Sequence, residues 1–136
     1  MKSFHISDDE FWYRIKESFN TSGGVYILKS YDQSNIVRPV SRLLRIDKEG
    51  ILYIGKASSF LDRVINLKKS LSPTHRSSAH ECGERHKQHK GITEQFPYSS
   101  LYVELIESDD PRKLEELHLK NYYQTYGELP PLNRSN

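Results

Sequence analysis

Two short apolar stretches constrain the fold of this chain more than any other feature of its sequence. The stretches VYILKS (25–30) and ILYIGKA (51–57) are rich in β-branched and aromatic residues, and turn-forming pairs precede them at Gly23-Gly24 and Glu49-Gly50. Runs of this length and composition, bounded in this way, are typical of β-strands. We therefore expect two strands that pair antiparallel across the connection between them.

The rest of the chain predicts a third strand and several helices. The segment YSSLYVELIES (98–108) alternates between apolar and polar residues, which favours a strand. Helices are predicted over about 7–20, 58–71 and 109–127. Ser7 and Glu10 form a capping box for the first helix, and Asp109 or Asp110 caps the last.

These elements predict one α/β (α+β) domain over residues 1–136. A small three-stranded antiparallel sheet would be flanked by helices, with an extra amino-terminal helix ahead of a core of about 23–133. The length of the chain suits a single domain with one hydrophobic core.

Composition narrows the class of protein. The formal net charge is +2, and the one cysteine, Cys82, cannot form an internal disulfide. Since no apolar stretch is long enough to span a membrane and no signal peptide is recognisable, we expect a cytoplasmic protein. The segment 63–90 is basic and the segment 94–116 is acidic. This asymmetry is typical either of a surface that faces phosphate or of a solvated helix face.

Five short motifs occur in a fixed order along the chain. They are Gly24-Val25-Tyr26, Tyr53-Ile54-Gly55, Phe60-Leu61-Asp62-Arg63, Leu114-Glu115 (followed by Leu119, Lys120 and Tyr122) and Pro131-Leu132-Asn133. Taken singly, each tyrosine is typical of a strand core, and Arg63 or Glu115 of a solvated helix. Taken together, the motifs resemble the GIY-YIG nuclease family, and the resemblance extends from Gly23 to Asn133.

The resemblance implies a GIY-YIG type fold and a metal-dependent endonuclease that hydrolyses phosphodiester bonds of DNA, one strand at a time, through a single-metal site. It implies Tyr26 as the general base that acts on water, with Tyr53 orienting or assisting it. Arg63 would supply the phosphate with a positive charge, because a guanidinium stays protonated at ordinary pH. Lys56 and Gly55, beside the second tyrosine, are implied to contact the substrate phosphate, since a glycine lets substrate approach closely.

Glu115 is the residue implied to hold the metal, expected to be Mg²⁺ or Mn²⁺. One carboxylate suffices, because Mg²⁺ keeps several waters and takes further oxygens from substrate phosphate. The neighbouring Glu116 fits less well, since the apolar residue, lysine and tyrosine of the family pattern follow Glu115 at offsets of four, five and seven positions. Asn133 is implied to fix the glutamate helix or the geometry at the metal.

The basic segment contains four histidines: His75, His80, His86 and His89. The resemblance implies that one of them lies near the scissile phosphate, with His80 preferred and His75 as the alternative. The spacing of His80, Cys82, His86 and His89 also permits a structural zinc site. A solvated basic surface is the third interpretation. Leu67 occupies the position, one turn after Arg63, where some family members carry histidine or tyrosine.

The connection between the two tyrosines is longer than the family often shows, at 53 − 26 = 27 positions. It carries Arg38, Arg42 and Arg45, and it is interpreted either as a surface that lies against DNA or as a structural flap. DNA is the expected partner, and a homodimer or a separate specificity partner would be one way of choosing the target. The alternative function is a catalytically degenerate GIY-YIG module that binds nucleic acid or a partner nuclease without cutting.

Overall fold

The computed structural model describes residues 2–19, 22–74 and 80–133 of the chain. The strands are β1 (Lys2–His5), β2 (Gly24–Ser30), β3 (Val40–Ser41), β4 (Ile46–Asp47), β5 (Ile51–Ala57) and β6 (Leu101–Glu107). The helices are α1 (Phe11–Phe19), α2 (Phe60–Leu71), α3 (Glu81–Gln88), α4 (Lys90–Gln95) and α5 (Pro111–Tyr126), with a 3₁₀ turn at Tyr98–Ser100. Four strands form an antiparallel sheet in the order β1-β6-β2-β5, and β3 pairs with β4 separately. The fold is therefore mixed α+β with an antiparallel sheet.

The three strands predicted from the sequence are β2, β5 and β6, and they lie next to one another in the sheet. The sequence does not predict β1, so the sheet has four strands rather than the expected three. The stretch Lys2–His5 is short, and Phe4 is its one buried side chain. Its strand conformation depends on pairing with β6, where Phe4 lies opposite Val103. Such a partner is not visible from the local sequence.

The first helix begins at Phe11, later than the capping box predicts. Ser7 is not the cap: its hydroxyl bonds to the ring of His5 at 3.0 Å. Asp8 instead accepts a hydrogen bond of 3.0 Å from the backbone N–H of Glu10 and so supports the turn that leads into the helix. The apolar face of α1 packs in the core as expected.

The ends of α2 and α5 agree closely with the sequence. Asp110 is the cap of α5 and accepts a hydrogen bond of 3.2 Å from the backbone N–H of Lys113. Gly127 ends that helix with a left-handed φ of +78°, a conformation that favours glycine. The polar segment after α2 contributes the short helices α3 and α4. No helix in the described ranges combines the length and apolar character needed to cross a bilayer.

The sheet buries apolar side chains on both faces. Tyr26 and Leu28 of β2 belong to the larger core, which α1, α2 and α3 cover. Val25 and Ile27 belong to a smaller core that α5 covers. Because neighbouring side chains of a strand point to opposite faces, a strand covered on both sides is apolar almost throughout. This explains why the alternation expected of a half-exposed strand is missing in 25–28.

The long connection between the tyrosines contains the hairpin β3–β4. The backbone N–H of Arg42 donates to the carbonyl of Arg45 at 3.1 Å and closes the turn 42–45. Asp47, at the end of β4, is fully buried and accepts hydrogen bonds from three backbone N–H groups of residues 49–51. It also accepts a bond of 2.9 Å from the hydroxyl of Tyr122 on α5. The hairpin is thus attached to α5 through a buried carboxylate.

Candidate active site

Tyr26 and Tyr53 lie on the paired strands β2 and β5 and point to the same face of the sheet. Their ring centroids are 6.0 Å apart, with the planes tilted by 35°. Both side chains are buried, and that of Tyr26 has no exposed surface. The two tyrosine motifs, far apart in sequence, therefore meet within the larger core.

Gly55 lies directly opposite Tyr26 in the ladder between β2 and β5. A Cβ atom at position 55 would overlap the Tyr26 ring and would lie 2.5 Å from its phenolic oxygen. The ring therefore lies across the strand at a place that only glycine leaves open. This close approach gives a structural reason for the glycine of the second motif. Phosphate contact at Gly55 stays a prediction, since the residue is buried.

His80 completes the group on this face of the sheet. It stands at the N-cap of α3, fully buried, with Nε2 at 2.7 Å from the hydroxyl of Tyr26. Its ring centroid lies 6.0 Å from that of Tyr26 and 5.5 Å from that of Tyr53. Of the two histidines predicted for the site, His80 is beside the tyrosines, and His75 lies outside the described residues.

The hydrogen-bond pattern assigns the tautomer of His80. Its Nδ1 accepts a bond of 3.2 Å from the backbone N–H of Cys82, so the proton of the neutral ring is on Nε2. Burial, together with the positive charge of Arg63, lowers the pKa of His80 to about 4. The ring is therefore neutral near pH 7, and Nε2–H donates to the oxygen of Tyr26.

Close packing between α3 and α2 holds His80 in this position. A Cβ atom on Gly83, one turn into α3, would overlap the side chain of Ser70 on α2. The glycine lets α3 approach α2 closely enough for its N-cap residue, His80, to reach the tyrosines of the sheet. Leu67, where some members of the resembling family carry histidine or tyrosine, is buried in the larger core. The imidazole at this site therefore comes from α3 and not from α2.

Arg63 brings a positive charge to the tyrosines from the first turn of α2. Burial raises the pKa of Tyr26 well above its ordinary value of 10.0. The charge of Arg63, together with hydrogen bonds from Arg63 and Tyr53, acts in the opposite direction. Burial is the larger effect, so the hydroxyl of Tyr26 is protonated in the resting protein. The groups around it are nevertheless those that stabilise a phenolate.

An open cleft of about 510 Å³ borders this group, and Arg63 lies on its wall. The cleft runs between the first turns of α2 and α5, and Lys56, exposed at the end of β5, also lines it. Arg112 lines the side that belongs to α5. Sequence reasoning did not select Arg112, because only the topology brings the start of α5 opposite Arg63. Arg63 thus bonds to the buried Tyr26 and also lines the open cleft.

Glu115 lies on α5, the helix that packs against the other face of the sheet. It is half-buried, and Tyr122, seven positions later on the same stripe of the helix, packs against the sheet. Pro111, one turn before it, lines the cleft. Glu116 is exposed and bonds to Arg112 at 3.3 Å. Glu115 therefore lies on the helix whose first turn lines the cleft, on the stripe that packs toward the sheet.

Asn133 lies along the outer edge of β5. Its Oδ1 accepts from the backbone N–H of Ile54 at 3.0 Å, and its Nδ2 donates to the carbonyl of Ile54 at 2.9 Å. The backbone N–H of Leu132 likewise donates to the carbonyl of Leu52 at 2.9 Å. The amide was expected to fix the glutamate helix or the geometry at the metal. Its hydrogen bonds instead hold the strand that carries Tyr53, and a role at the metal stays a prediction.

The histidines and Cys82 do not form a zinc site in the described residues. Both ring nitrogens of His80 have protein partners, and Nε2 of His86 bonds to the carbonyl of Phe96 at 2.7 Å. No group of three His, Cys, Asp or Glu side chains is arranged to hold a metal in the described ranges. His89 is exposed. His80, His86 and His89 therefore differ in their surroundings, and the interpretation as one solvated surface is wrong for His80 and His86, which are buried. His75 lies outside the described residues.

Comparison of the chain with protein-family models, with curated proteins and with solved structures finds no match in any of the three. Function must accordingly be inferred from the residues of the site.

The lowered pKa of His80 predicts how stability depends on pH. Between about pH 6.5 and pH 4 the unfolded chain binds a proton at this histidine that the folded chain does not. The contribution of the neutral His80 ring to the free energy of unfolding is therefore fully present above pH 6.5. It is lost as the pH falls toward 4, by up to about 3 kcal/mol. Urea unfolding at several pH values should show wild type losing more stability on acidification than His80→Asn, which keeps a capping side chain but cannot titrate. The exposed His89→Asn is the control, and equal pH dependence of wild type and His80→Asn would contradict the prediction.

Proposed function

We propose that this chain is a phosphodiester hydrolase, and more particularly a metal-dependent DNA endonuclease of the GIY-YIG type that cuts one strand at a time. The observation that carries the proposal is the convergence of Tyr26, Tyr53, His80 and Arg63 at one place beside an open cleft. These residues come from four separate segments of the chain. Core packing alone does not require an arginine and a neutral histidine on the same phenolic oxygen.

The fold supports the proposal at the level of layout. The three strands predicted from the sequence are the adjacent strands β6-β2-β5, an arrangement compatible with the proposed type of fold, and β1 extends the sheet at the far edge from Tyr53. The arginine helix α2 and the glutamate helix α5 cover opposite faces, and their first turns line the same cleft. The extra strand and the long hairpin are additions to this layout.

Proton transfer at Tyr26 is the proposed first step. After its own proton is lost to solvent, the phenolate is stabilised by the charge of Arg63 and by the N–H that His80 donates. The phenolate oxygen takes a proton from water, and the water oxygen forms a bond to phosphorus. The bond from phosphorus to the leaving sugar oxygen breaks, and that oxygen departs with the electron pair and takes a proton from solvent.

The cleft is the proposed binding site for the scissile phosphate. Arg63 and Lys56 line it, and a guanidinium can donate two parallel hydrogen bonds to phosphate oxygens. Asp62 and Asp109 also line it, so the phosphate is expected nearest the arginine rather than spread over the cleft. Tyr53, whose ring lies beside those of both His80 and Tyr26 in the core, is assigned to orienting the base.

Glu115 is assigned to holding Mg²⁺ or Mn²⁺. The donor chemistry fits, since a carboxylate oxygen suits a hard cation and one protein ligand is enough when waters and phosphate supply the others. Its half-buried position one turn from Pro111 at the cleft fits as well. When bound, such an ion supplies positive charge against the charge that develops on the phosphate.

A non-cutting nucleic-acid-binding module is the second candidate, and the burial of Tyr26 favours it. The side chain has no exposed surface, and its hydroxyl is already bonded to His80. A base must come within hydrogen-bond reach of the water that it activates. Cutting therefore requires water to reach the phenolic oxygen along the side where Arg63 borders the cleft.

The function is tested with supercoiled plasmid and Mg²⁺ or Mn²⁺, comparing wild type with Glu115→Gln and Glu116→Gln. Wild type and Glu116→Gln should nick the plasmid at similar rates, because Glu116 is exposed and pairs with Arg112. Glu115→Gln should nick at least about 100-fold more slowly, and EDTA should abolish nicking by all three. Conversion of plasmid to open circle is the measurement.

Two outcomes would contradict the nuclease assignment. If wild type binds plasmid but never nicks it at any metal concentration, the non-cutting module is favoured. If all three proteins nick equally, the activity belongs to a contaminant. DNA as partner, a homodimer or specificity subunit, and a cytoplasmic location stay predictions.

A further inference from the structure

The turn 42–45 at the tip of the β3–β4 hairpin exposes a pair of large apolar side chains. Leu43 is 75% exposed and Leu44 is 62% exposed, and Ile46 beside them is also largely exposed. Isolated exposed leucines are common, but three large aliphatic side chains on one short hairpin form a contact surface.

Hydrogen bonds to the end of α5 and to the residues after it fix the turn, although its leucine side chains are exposed. The guanidinium of Arg42 donates to the carbonyl of Leu129 at 3.0 Å and pairs with Glu128 at 3.3 Å. The backbone N–H of Leu43 donates to the Glu128 carboxylate at 2.7 Å, and that of Leu44 donates to the carbonyl of Tyr126 at 3.1 Å. The leucines are thus presented on a fixed support, which lowers the entropy cost of using them in a contact.

The charges beside the turn select the kind of partner. Arg45 and Lys48 are exposed on the two sides of Ile46. Asp47, the acid between them, is fully buried and accepts hydrogen bonds from backbone N–H groups and Tyr122. Glu49 is the exposed acid that follows. Glu49 lines the same surface as Arg45 and Lys48, so the exposed tip is apolar with a border that is basic only on balance, by two cations against one acid.

We propose that this turn is a wedge that enters the minor groove of duplex DNA. Leu43 and Leu44 press against base pairs and widen or kink the groove, while Arg45 and Lys48 contact the flanking phosphates. Apolar side chains bordered by cations match a surface that is apolar between base pairs and anionic along its rims. This inference rests on the proposed function, because it names duplex DNA as the substrate.

Helix α5 separates the wedge from the cleft by a length that suits a duplex. The hairpin packs at the carboxyl end of α5, and the cleft lies at its amino end. The helix has 16 residues and is therefore about 24 Å long. That distance corresponds to about seven base pairs. A duplex lying along α5 would therefore contact the wedge and Arg63 at two places about seven base pairs apart.

A second copy of the chain fits the tip less well. A two-fold interface brings the same surface of both copies together, so one tip with a net positive charge would meet another. Like charges in contact are unfavourable, whereas phosphates compensate them. The basic border therefore favours DNA.

The test measures binding to a labelled duplex of about two helical turns by fluorescence anisotropy, in EDTA so that no strand is cut. Arg45→Ala with Lys48→Ala should weaken binding about 10-fold and reduce the slope of log K against log salt by about two, since each lost phosphate contact reduces it by about 0.9. Leu43→Ser with Leu44→Ser should weaken binding about 10-fold at unchanged slope, because no phosphate contact is lost. Energy transfer between labels at the two duplex ends should also show less bending for the leucine variant.

Matched controls remove exposed cations or an exposed apolar side chain elsewhere, on α1 at the opposite face of the sheet or on α4. Lys16→Ala with Lys90→Ala removes two exposed cations, and Tyr13→Ser removes an exposed apolar side chain on α1. Both should bind like wild type. Circular dichroism confirms folding, and Arg45→Ala alone serves if the double variant is unstable.

The possible failures are distinguishable. If the hairpin variants bind and bend DNA like wild type while wild type nicks plasmid, the wedge is wrong and the nuclease assignment stands. If wild type neither binds duplex nor nicks plasmid, the proposed function itself fails. If the hairpin variants bind DNA normally but lose binding to vesicles of phosphatidylserine and phosphatidylcholine, the partner is a membrane surface. If they lose a dimer seen for wild type by sedimentation, the partner is a second copy. Either result overturns the proposal.

Discussion

Replacing Tyr26 by phenylalanine is expected to slow plasmid nicking by about 10²–10⁴-fold, the range found when a general base is removed. The substitution removes the oxygen that accepts from His80 and keeps the ring that fills the space above Gly55. Since the buried N–H of His80 loses its acceptor, the variant should also be less stable by about 1–3 kcal/mol. Initial nicking rates, measured at a temperature where circular dichroism shows both proteins folded, check the expectation.

Tyr122→Phe is the matched control for this experiment. Tyr122 is also a buried tyrosine, and its hydroxyl donates to the carboxylate of Asp47 on the other side of the sheet. Burial, with the hydrogen bond and charge of Asp47, raises the pKa of Tyr122 well above its ordinary value. Its nearest charged neighbour is thus a carboxylate that opposes a phenolate, whereas Tyr26 has Arg63, whose charge lowers the pKa of that tyrosine. A comparable stability loss without a comparable loss of rate would separate chemistry from folding. Equal rate losses in both variants would contradict the role assigned to Tyr26.

Replacing Asp47 by alanine is expected to lower the free energy of unfolding by about 3–5 kcal/mol. Its buried carboxylate accepts from the backbone N–H groups of residues 49–51 and from Tyr122. The substitution leaves these donors without their acceptor, and each buried unpaired group costs about 1–3 kcal/mol. It also releases the start of β5 and the hairpin from α5. Urea unfolding followed by circular dichroism measures the loss.

Asp32→Ala is the corresponding control. Asp32 also accepts from backbone N–H groups, those of Ser34 and Ile36, but these bonds are exposed to solvent. Water can replace the lost acceptor there, so the loss should stay below about 1 kcal/mol. Similar losses for Asp32→Ala and Asp47→Ala would show that burial of the carboxylate is not what makes it important.

Local patterns in the sequence predict β2, β5, β6 and the two long helices, because each has its own signals. The apolar run of Ile51–Ala57 and the cap and left-handed glycine around α5 are visible within a few residues. Other elements depend on partners distant in sequence. The strand Lys2–His5 exists because β6 is beside it, and Asp8 supports the start of α1 in place of Ser7, whose hydroxyl bonds to His5.

The candidate site also has features that the sequence predicts and features that depend on residues distant in sequence. The order of motifs predicts Tyr26, Tyr53 and Arg63, and the resemblance adds His80 with His75 as the alternative. The structure brings Tyr26, Tyr53, Arg63 and His80 together. The order does not predict that Tyr26 is fully buried, nor that a glycine on the partner strand makes room for its ring. Both depend on the register between β2 and β5, which no local pattern specifies.

The segment Leu132–Asn133 also covers the outer edge of the sheet at β5. In β5, an apolar strand at the border of the sheet, the N–H and C=O groups that face outward offer a template to any other extended chain. Leu132 occupies the carbonyl of Leu52, and the amide of Asn133 occupies both groups of Ile54 as a neighbouring strand would. A chain shortened before residue 132 would expose this border and should self-associate into β-rich aggregates.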